Sequence, residues 1–331
     1  MAPTSRQERI RTGLWSEARE LGSPPILKRA AVYPLLLFVV IVLGVNWPFL
    51  ATGLKSISPI WMSVFRLIGA AITAFLLAAF TGRLARPPRK DYPMILSVGV
   101  FGLALVFILV FTALQIVPPG RSSILVWTTA LWTVPIAVTV GRERMYPLRW
   151  AGLTVGIGGI VLVFDPTRLD WSDSRVVLGH IMLLVAAVLN AAVSVHARRH
   201  TWVSSPMALL PWQLLVGAVP LLIVALIAEG ISDIEWTWQL GAIVLYQGTF
   251  ASGFALWGQF TVLRSLPAIS TNLSLMGVPV VGLIASVILV DESLTVAVGG
   301  GLALVLVGIA TSLLADARAN KKPTEILEMQ P

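Results

Sequence analysis

The sequence GTFASGFALWGQFTVL at residues 248–263 has a counterpart in GVFGLALVFILVFTAL at residues 99–114, displaced by 149 positions. The same displacement continues without insertion or deletion as far as Ile160 and Ile309. Apolar residues match easily by chance, whereas proline, glutamate and glycine at one shared offset do not. The displacement aligns Pro118 with Pro267, Glu143 with Glu292, Gly152 with Gly301, and Gly159 with Gly308. We therefore predict an internal duplication of the chain.

The composition indicates that the solvent of this chain is a lipid bilayer. Of its 331 residues, 56% are hydrophobic and 12% are charged, and the mean hydropathy is +0.85. A soluble domain usually carries about a quarter charged residues. In a soluble protein, the net charge of +8 would suggest binding to nucleic acid. In a membrane protein it is better explained by an excess of lysine and arginine on one side of the membrane, so no nucleic-acid partner is predicted. The absence of cysteine excludes disulfides and thiolate metal sites.

Ten segments are apolar over the length, about 20 residues, that a helix needs to cross a bilayer. They lie at residues 31–52, 59–80, 93–117, 122–141, 148–164, 176–197, 206–228, 240–263, 268–290 and 294–315. With the N-terminus placed in the cytoplasm, 19 of the 24 lysines and arginines fall on the inner side and four on the outer side. This bias predicts that both termini are cytoplasmic.

Each repeat contains five spans, an odd number, so the second repeat enters the membrane inverted relative to the first. The predicted fold class is an all-α membrane protein whose ten transmembrane helices form two inverted five-helix repeats, residues 31–164 and 176–315. An outer loop at 165–175 connects them. Polar cytoplasmic tails are predicted at 1–30 and 316–331, and the first is either a short helix or disordered tail, or a helix lying on the inner leaflet. A site between inverted repeats can open to either side, which is the logic of alternating access.

The two halves resemble the ten-helix, EamA-type branch of the drug/metabolite transporter superfamily. The resemblance covers roughly residues 33–315, and its motifs are the prolines, glutamates and glycines paired above together with Pro279. It implies a multi-pass exporter of metabolites in the bacterial inner membrane, and some members of the family resemble amino-acid exporters that favour aromatic side chains. One departure is that Pro135 lies eight residues before Glu143, whereas Pro279 lies thirteen before Glu292. We therefore expect the proline kinks of the fourth and ninth spans at different depths.

Arg66 is the one ionised side chain that the sequence places deep within a span. A charge at this depth is expensive and indicates a functional residue. One interpretation is a gating or structural role, in which its long stem reaches the outer interface or its guanidinium meets helix carbonyls. The other is a site for a substrate carboxylate, which would suit a neutral amino acid or an organic acid.

Pro135 and Pro279 each remove a helical hydrogen bond and free the carbonyl four residues earlier. Such freed groups are tolerated against protein or a water-filled cavity, so these prolines are assigned a gating or structural role. Polar and aromatic residues surround them, and we predict that a central cavity between the halves is lined by Asn46, Ser123, Trp127, Tyr246, Gln247, Trp257 and Asn272. Two interpretations of the aromatic residues remain open. They either form a cavity wall on which a solute stacks, or pack against lipid.

Small residues mark the fifth and tenth spans as a packing pair. Gly152 and Gly156 lie four residues apart, and Gly301 and Gly308 lie two turns apart. Glycine faces let helices approach closely, so we predict that these two helices pack together through the four glycines. The same surfaces could instead form a homodimer interface, but a monomer is the expected state.

No catalytic constellation, metal-ligand spacing or phosphate loop is present in the sequence, so neither an enzyme nor a metal or other cofactor is predicted. The predicted function is a transporter that exports small neutral or zwitterionic metabolites, mainly amino acids including aromatic ones. The first alternative is a flippase or exporter of lipids or hydrophobic drugs. The second is a membrane-embedded enzyme or sensor, which should show intramembrane acids, histidine clusters or a soluble domain. Without an acid deep in a span, we expect an uncoupled carrier or exchanger. The alternative is coupling through a histidine or through the backbone carbonyls freed by Pro135 or Pro279.

Overall fold

A computed structural model describes residues 29–82, 84–140, 147–164, 173–204, 206–230, 234–265 and 274–328. These residues form helices and connecting turns, with no strand among them. Ten principal helices follow in chain order: α1 Arg29–Gly53, α2 Pro59–Phe80, α3 Arg89–Ala113, α4 Pro119–Thr139, α5 Pro147–Phe164, α6 Ser174–Arg199, α7 Pro206–Ala228, α8 Trp238–Ser265, α9 Gly277–Val290 and α10 Val296–Glu328.

Within the described ranges, nine of these helices contain a stretch long and apolar enough to cross a membrane, and α9 is an apolar helix of 14 residues. The predicted all-α membrane class with ten helices is confirmed. Local chemistry sets several helix starts. The Ser58 hydroxyl accepts a hydrogen bond from the Trp61 amide, and Pro59 occupies the first turn of α2, where its missing N–H is not needed. Pro119 does the same for α4, which therefore begins before the predicted Ser122.

The internal duplication extends to irregular backbone. Within α3, residues Ser97–Leu105 are wound as a π-helix, and within α8 residues Tyr246–Phe254 are wound in the same way. These two segments are related by the displacement of 149 residues found in the sequence. Segments of π-helix are rare and frequently lie at functional sites. These segments could not be predicted from the sequence, because the side-chain pattern of nine mostly apolar residues does not identify the type of helix.

The interruption of α4 lies at Thr128, between Pro119–Trp127 and Thr129–Thr139, and Pro135 lies inside the second part. The Thr128 hydroxyl donates to the Leu125 carbonyl at 2.6 Å, which closes a tight local turn. The repeat aligns Thr128 with Gly277, where α9 begins. The turn at Met276 before α9 therefore lies within one residue of the position equivalent to Thr128, although the two prolines are not equivalent.

The helices pack as two four-helix groups and one pair. In group A, α1 packs on α8 and α9, and α2 packs on α8. In group B, α6 packs on α3 and α4, and α7 packs on α3. The repeat relates the groups, since α1, α2, α8 and α9 correspond to α6, α7, α3 and α4. Each group therefore combines helices from both halves. Across the groups, α2 and α7 pack on each other, and α5 with α10 forms a further pair that packs on α4.

Glycine backbones form the contact between α5 and α10. A Cβ atom added to Gly152 would lie 2.7 Å from the Gly308 carbonyl oxygen, and one added to Gly308 would lie 2.6 Å from that of Gly152. A Cβ atom added to Gly301 would similarly lie 2.8 Å from a carbonyl of α5. Gly156 contributes backbone to the same contact, while its own open side faces the Leu131 side chain of α4. The two helices therefore approach backbone to backbone.

Candidate functional site

A cavity of about 290 Å³ lies on what we call the inner side, where α4, α6 and α8 end. Residues of six helices or their flanking turns form its wall. The polar and aromatic members of the wall are Trp127, Thr129, Thr133, Arg149, Ser194, Arg198, Gln259 and Ser312. Among the described lining residues there is no carboxylate, so the charges of the wall are two arginines at its edge.

The cavity lies beside the interruption of α4. Both parts of this helix pack on α6, α5 and α10, whereas the packing on α9 is made by the outer part, Pro119–Trp127. Pro279 of α9 is in the wall, and so is Leu275, whose carbonyl the proline deprives of its helical partner. A helix carbonyl without a partner is tolerated where polar groups or water can reach it. The interruption thus leaves a polar space between groups A and B.

A second cavity, of about 650 Å³, lies on the opposite, outer side. It is formed by the outer ends of α1, α3 and α9 and by the beginning of α4, and Leu114 and Gln115 belong to its wall. Its charged residues have both signs, since Lys55 and Arg121 face Asp291 and Glu292. The protein therefore has one cavity on each side, with packed helices between them.

Glu292 joins the two groups at the outer cavity. Its carboxylate accepts hydrogen bonds from the backbone amides of Gly120 at 2.7 Å and Arg121 at 3.1 Å, in the first turn of α4. These amides have no helical partner, and a negative charge is favoured at a helix N-terminus. Burial raises the pKa of Glu292 above its ordinary value, against the opposing effect of the two amides. A Cβ atom at Gly120 would lie 2.8 Å from the carboxylate, so a larger residue there would displace the Glu292 side chain.

Arg66 of α2 lies at the boundary between the two groups. Its Nε donates to the Ser252 hydroxyl at 2.9 Å and its guanidinium donates to the Gln247 side-chain oxygen at 2.7 Å, both on α8 of group A. The guanidinium carbon lies 4.6 Å from the centre of the Phe107 ring and 5.7 Å from that of Phe111, both on α3 of group B. The side chain is 8% exposed. Among the described residues, no carboxylate pairs with it.

The residues predicted to line one central cavity occupy several places in this structure. Trp127 and Pro279 are in the wall of the inner cavity. Trp257 lines a narrow crevice of about 20 Å³ between α2, α7 and α8 instead. Pro135 lies within the inner part of α4 but is not among the lining residues, and Asn272 lies outside the described residues.

The other predicted lining residues are packed between helices. Asn46, Ser123 and Gln247 are buried, and each has a polar atom without a hydrogen-bond partner: Oδ1, Oγ and Nε2, respectively. Tyr246 donates its hydroxyl to the Val42 carbonyl at 2.7 Å and thereby ties α8 to α1. Buried polar atoms usually have partners, so these unpaired groups call for a ligand, water or another conformation. The structure does not bring the seven residues to one cavity, and their joint role in binding stays a prediction.

Several lining residues were absent from the predicted set. Ser194 of α6 and Ser312 of α10 are small polar residues within apolar spans, and this was the signal that could have found them. Arg149 and Arg198 were assigned to the inner loops, because charges near span ends are normally solvated there. The cap formed by Glu292 was also missed, although the repeat singles out this glutamate.

Comparisons with known proteins agree with this architecture. The chain is 28% identical to the uncharacterized transporter YoaV of Bacillus subtilis (strain 168), over 82% of this chain and 92% of that protein. It is 26% identical to a probable amino-acid metabolite efflux pump of Escherichia coli (strain K12), over 83% of this chain and 92% of the relative. A probable terminal-alkyne amino-acid exporter of Streptantibioticus cattleyicolor is 27% identical, over 79% and 86% of the two chains.

A solved crystal structure superimposes on 85% of this chain and 99% of its own, with a TM-score of 0.64 and 19% sequence identity, and shows that the fold is shared. The sequence matches the EamA-like transporter family twice, over residues 31–165 and 177–314. These matches cover both halves that the duplication relates. The chain is therefore a multi-pass membrane protein that belongs to the EamA-like transporter family.

Proposed function

We propose that this protein exports small neutral or zwitterionic metabolites, with amino acids and in particular aromatic ones as substrates, by alternating access. In this proposal both termini are cytoplasmic, the membrane is the bacterial inner membrane, and the inner cavity faces the cytoplasm. The carrying observation is the divided packing of α4. Its outer part contacts α9, while its inner part leaves a cavity between groups A and B.

The chemistry of the inner cavity suits a solute with an apolar body and a polar end. Trp127 offers a ring for stacking, while Thr129, Thr133 and Gln259 offer hydroxyl and amide groups. The volume of about 290 Å³ is at the lower end of the usual range for small-molecule sites, about 300–1,000 Å³. Relatives named as amino-acid efflux pumps and exporters support the same class of substrate.

The repeat supplies the second conformation. Because groups A and B are related by the duplication, the contact of α9 with the outer part of α4 would have a counterpart on the inner side in a second conformation. Exchange of one contact for the other would close the inner cavity and open the outer one. The energies of the two conformations need to differ by only a few kcal/mol for both to be populated.

The test is counterflow in proteoliposomes that hold the purified protein and unlabelled phenylalanine. We expect uptake of external labelled phenylalanine, with competition by other aromatic and large neutral amino acids. Trp127→Ala should weaken the apparent affinity about tenfold, the effect of losing an aromatic contact and its buried area. Trp150 of α5 is 55% exposed and provides the matched control, since Trp150→Ala removes the same side chain outside the cavity.

The outcome that contradicts the proposal is an absence of counterflow with every amino acid tested, in protein that remains folded. Competition by hydrophobic cations or lipid analogues, without competition by amino acids, would favour an exporter of drugs or lipids. Equal effects of Trp127→Ala and Trp150→Ala would remove the inner cavity as the binding site while leaving transport itself intact.

A further inference from the structure

Arg66 is held by one helix group and faces the other. Both of its hydrogen bonds go to α8 of group A, whereas the aromatic rings against its guanidinium belong to α3 of group B. Any movement that separates the groups on the outer side would keep the first set of contacts and remove the second. The guanidinium would then face the opening space with its position already fixed.

The charge of Arg66 has no compensation in its surroundings. Its described partners are a hydroxyl, an amide oxygen and two rings, all of them neutral. The sequences of α1, α2, α4, α8 and α9 contain no aspartate or glutamate. A buried charge without a counter-ion is unfavourable, and such residues in membrane proteins commonly mark the path of a substrate or ion.

Packing alone does not require the arginine. The helices α2 and α7 begin at Pro59 and Pro206, which are 147 positions apart, so Arg66 is aligned with Gln213. The displacement of 149 aligns Gln247 with Val98 and Ser252 with Leu103. At the equivalent place, α7 packs on the π-helical part of α3 just as α2 packs on that of α8. Gln213 is buried and carries no charge. The same helix packing therefore forms without a charged residue, and the charge of Arg66 is an addition to it.

A second donor is present beside the guanidinium. The Gln247 side-chain oxygen accepts from Arg66, which leaves its Nε2 amide group fully buried and without a partner. The cluster also lies directly beneath the outer cavity, because Phe111 is less than one helical turn from Leu114 in the cavity wall. An anion that entered from this cavity, or left through it, would meet both donors.

We propose that Arg66 and the Gln247 amide bind the carboxylate of the transported solute when groups A and B separate on the outer side. The inference rests on the proposed function and narrows it to substrates that carry a carboxylate, such as zwitterionic amino acids. The planar guanidinium and the amide together provide several N–H donors, which suit the two oxygens of a carboxylate. In the closed state the rings of Phe107 and Phe111 occupy the face that the carboxylate takes.

The experiment measures binding to the purified protein in nanodiscs for two pairs of probes. Phenylalanine is compared with phenylalaninamide, and phenylacetate with phenylacetamide, so that each pair differs at the carboxylate. The wild type should prefer each acid by about tenfold or more, the ratio that a charge-assisted hydrogen bond supplies. Arg66→Gln should abolish the preference while leaving the affinity for the amides unchanged. Arg66→Lys should retain much of it, and Arg86→Gln, which removes an exposed loop charge, should retain all of it.

The outcomes separate this site from the proposed function. Counterflow of phenylalanine with an unchanged acid preference in Arg66→Gln would overturn the site and leave the function standing. A preference for phenylacetate that Arg66→Gln abolishes, without binding of any amino acid, would support the site and refute the function. Equal loss of acid and amide binding, or no acid preference in the wild type, overturns the site. If Arg66→Gln does not fold, the same binding experiment is made with Gln247→Met. A reduced preference for the acids in this variant supports the site, and an unchanged preference overturns it.

Discussion

The contact between α5 and α10 gives the sharpest quantitative prediction, because glycines in the same two helices differ in what surrounds them. A Cβ atom at Gly308 would lie 2.6 Å from both the Gly152 carbonyl oxygen and the Gly156 backbone nitrogen. Backbone atoms cannot rotate away as a flexible side chain can. Gly308→Ala must therefore separate the helices or distort them, and overpacking of this kind costs about 1–3 kcal/mol.

Gly158 of α5 and Gly300 of α10 are the matched controls. A Cβ atom at either position meets no heavy atom within 4 Å. Gly158→Ala and Gly300→Ala should therefore be neutral, or stabilising by about 0.4–1 kcal/mol because alanine restricts the unfolded chain. Within one helix, Gly→Ala is thus expected to lower stability at one position and to leave it unchanged or raise it at the other. Because both variants change composition and hydrophobicity in the same way, their difference reports on packing alone.

The assay is unfolding of the purified protein in detergent, followed by circular dichroism and by the monodisperse fraction after heating. Gly308→Ala should unfold at a lower temperature than the wild type, and Gly300→Ala at the same or a higher temperature. Competition profiles in counterflow should change little, since the four glycines are not in the wall of the inner cavity. Equal stability of Gly308→Ala and Gly300→Ala would refute the backbone contact between these helices.

Three further predictions concern charges. Burial raises the pKa of Glu292 in this structure, so protonation of its carboxyl group at falling pH should favour the closed outer side. The rate of exchange should therefore fall as the pH drops from the raised pKa to the ordinary value of glutamate. Glu292→Gln should abolish this pH dependence. Asp91→Asn should lower the free energy of unfolding by about 1–3 kcal/mol, because the buried carboxylate accepts hydrogen bonds from the His200 ring and from two backbone amides. The control is Asp173→Asn at the exposed start of α6, which should be nearly neutral in thermal unfolding. With equal substrate on both sides of a liposome, an imposed pH gradient should produce no net accumulation, and uphill accumulation would contradict uncoupled transport.

The fold could be predicted from the sequence because its two signals are long-range and redundant. Apolar length predicted the spans, and the second was placed at Pro59–Phe80, where the structure has it. The repeat then fixed which helices are equivalent. The π-helical segments could not be predicted, since about one extra residue per turn over nine residues does not visibly change the pattern of apolar side chains. The interruption at Thr128 could not be predicted either, since it involves a single hydrogen bond from a hydroxyl group.

The candidate site was less predictable because a cavity depends on conformation as well as on composition. Polar and aromatic residues near the kinking prolines identified the region, and Trp127 with Pro279 lies in the inner cavity. Ser123 and Gln247 are of the same residue types but lie buried between helices. Sequence shows that such residues share a helix, whereas the state of the transporter decides which of them face an open space.

The symmetry of the halves also determines what each unmatched charge can do. In the alternating access proposed above, the matched halves provide two conformations of similar energy, and residues without a matching partner bias the choice between them. Arg66, aligned with the uncharged Gln213, is such a residue, and it lies at the boundary of the two groups. Glu292 is different, because it lies at the outer cavity and would reach the same solvent in either conformation. Its proton can change the rate of opening without crossing the membrane, so a pH-dependent rate and the absence of proton coupling are compatible properties of one carrier.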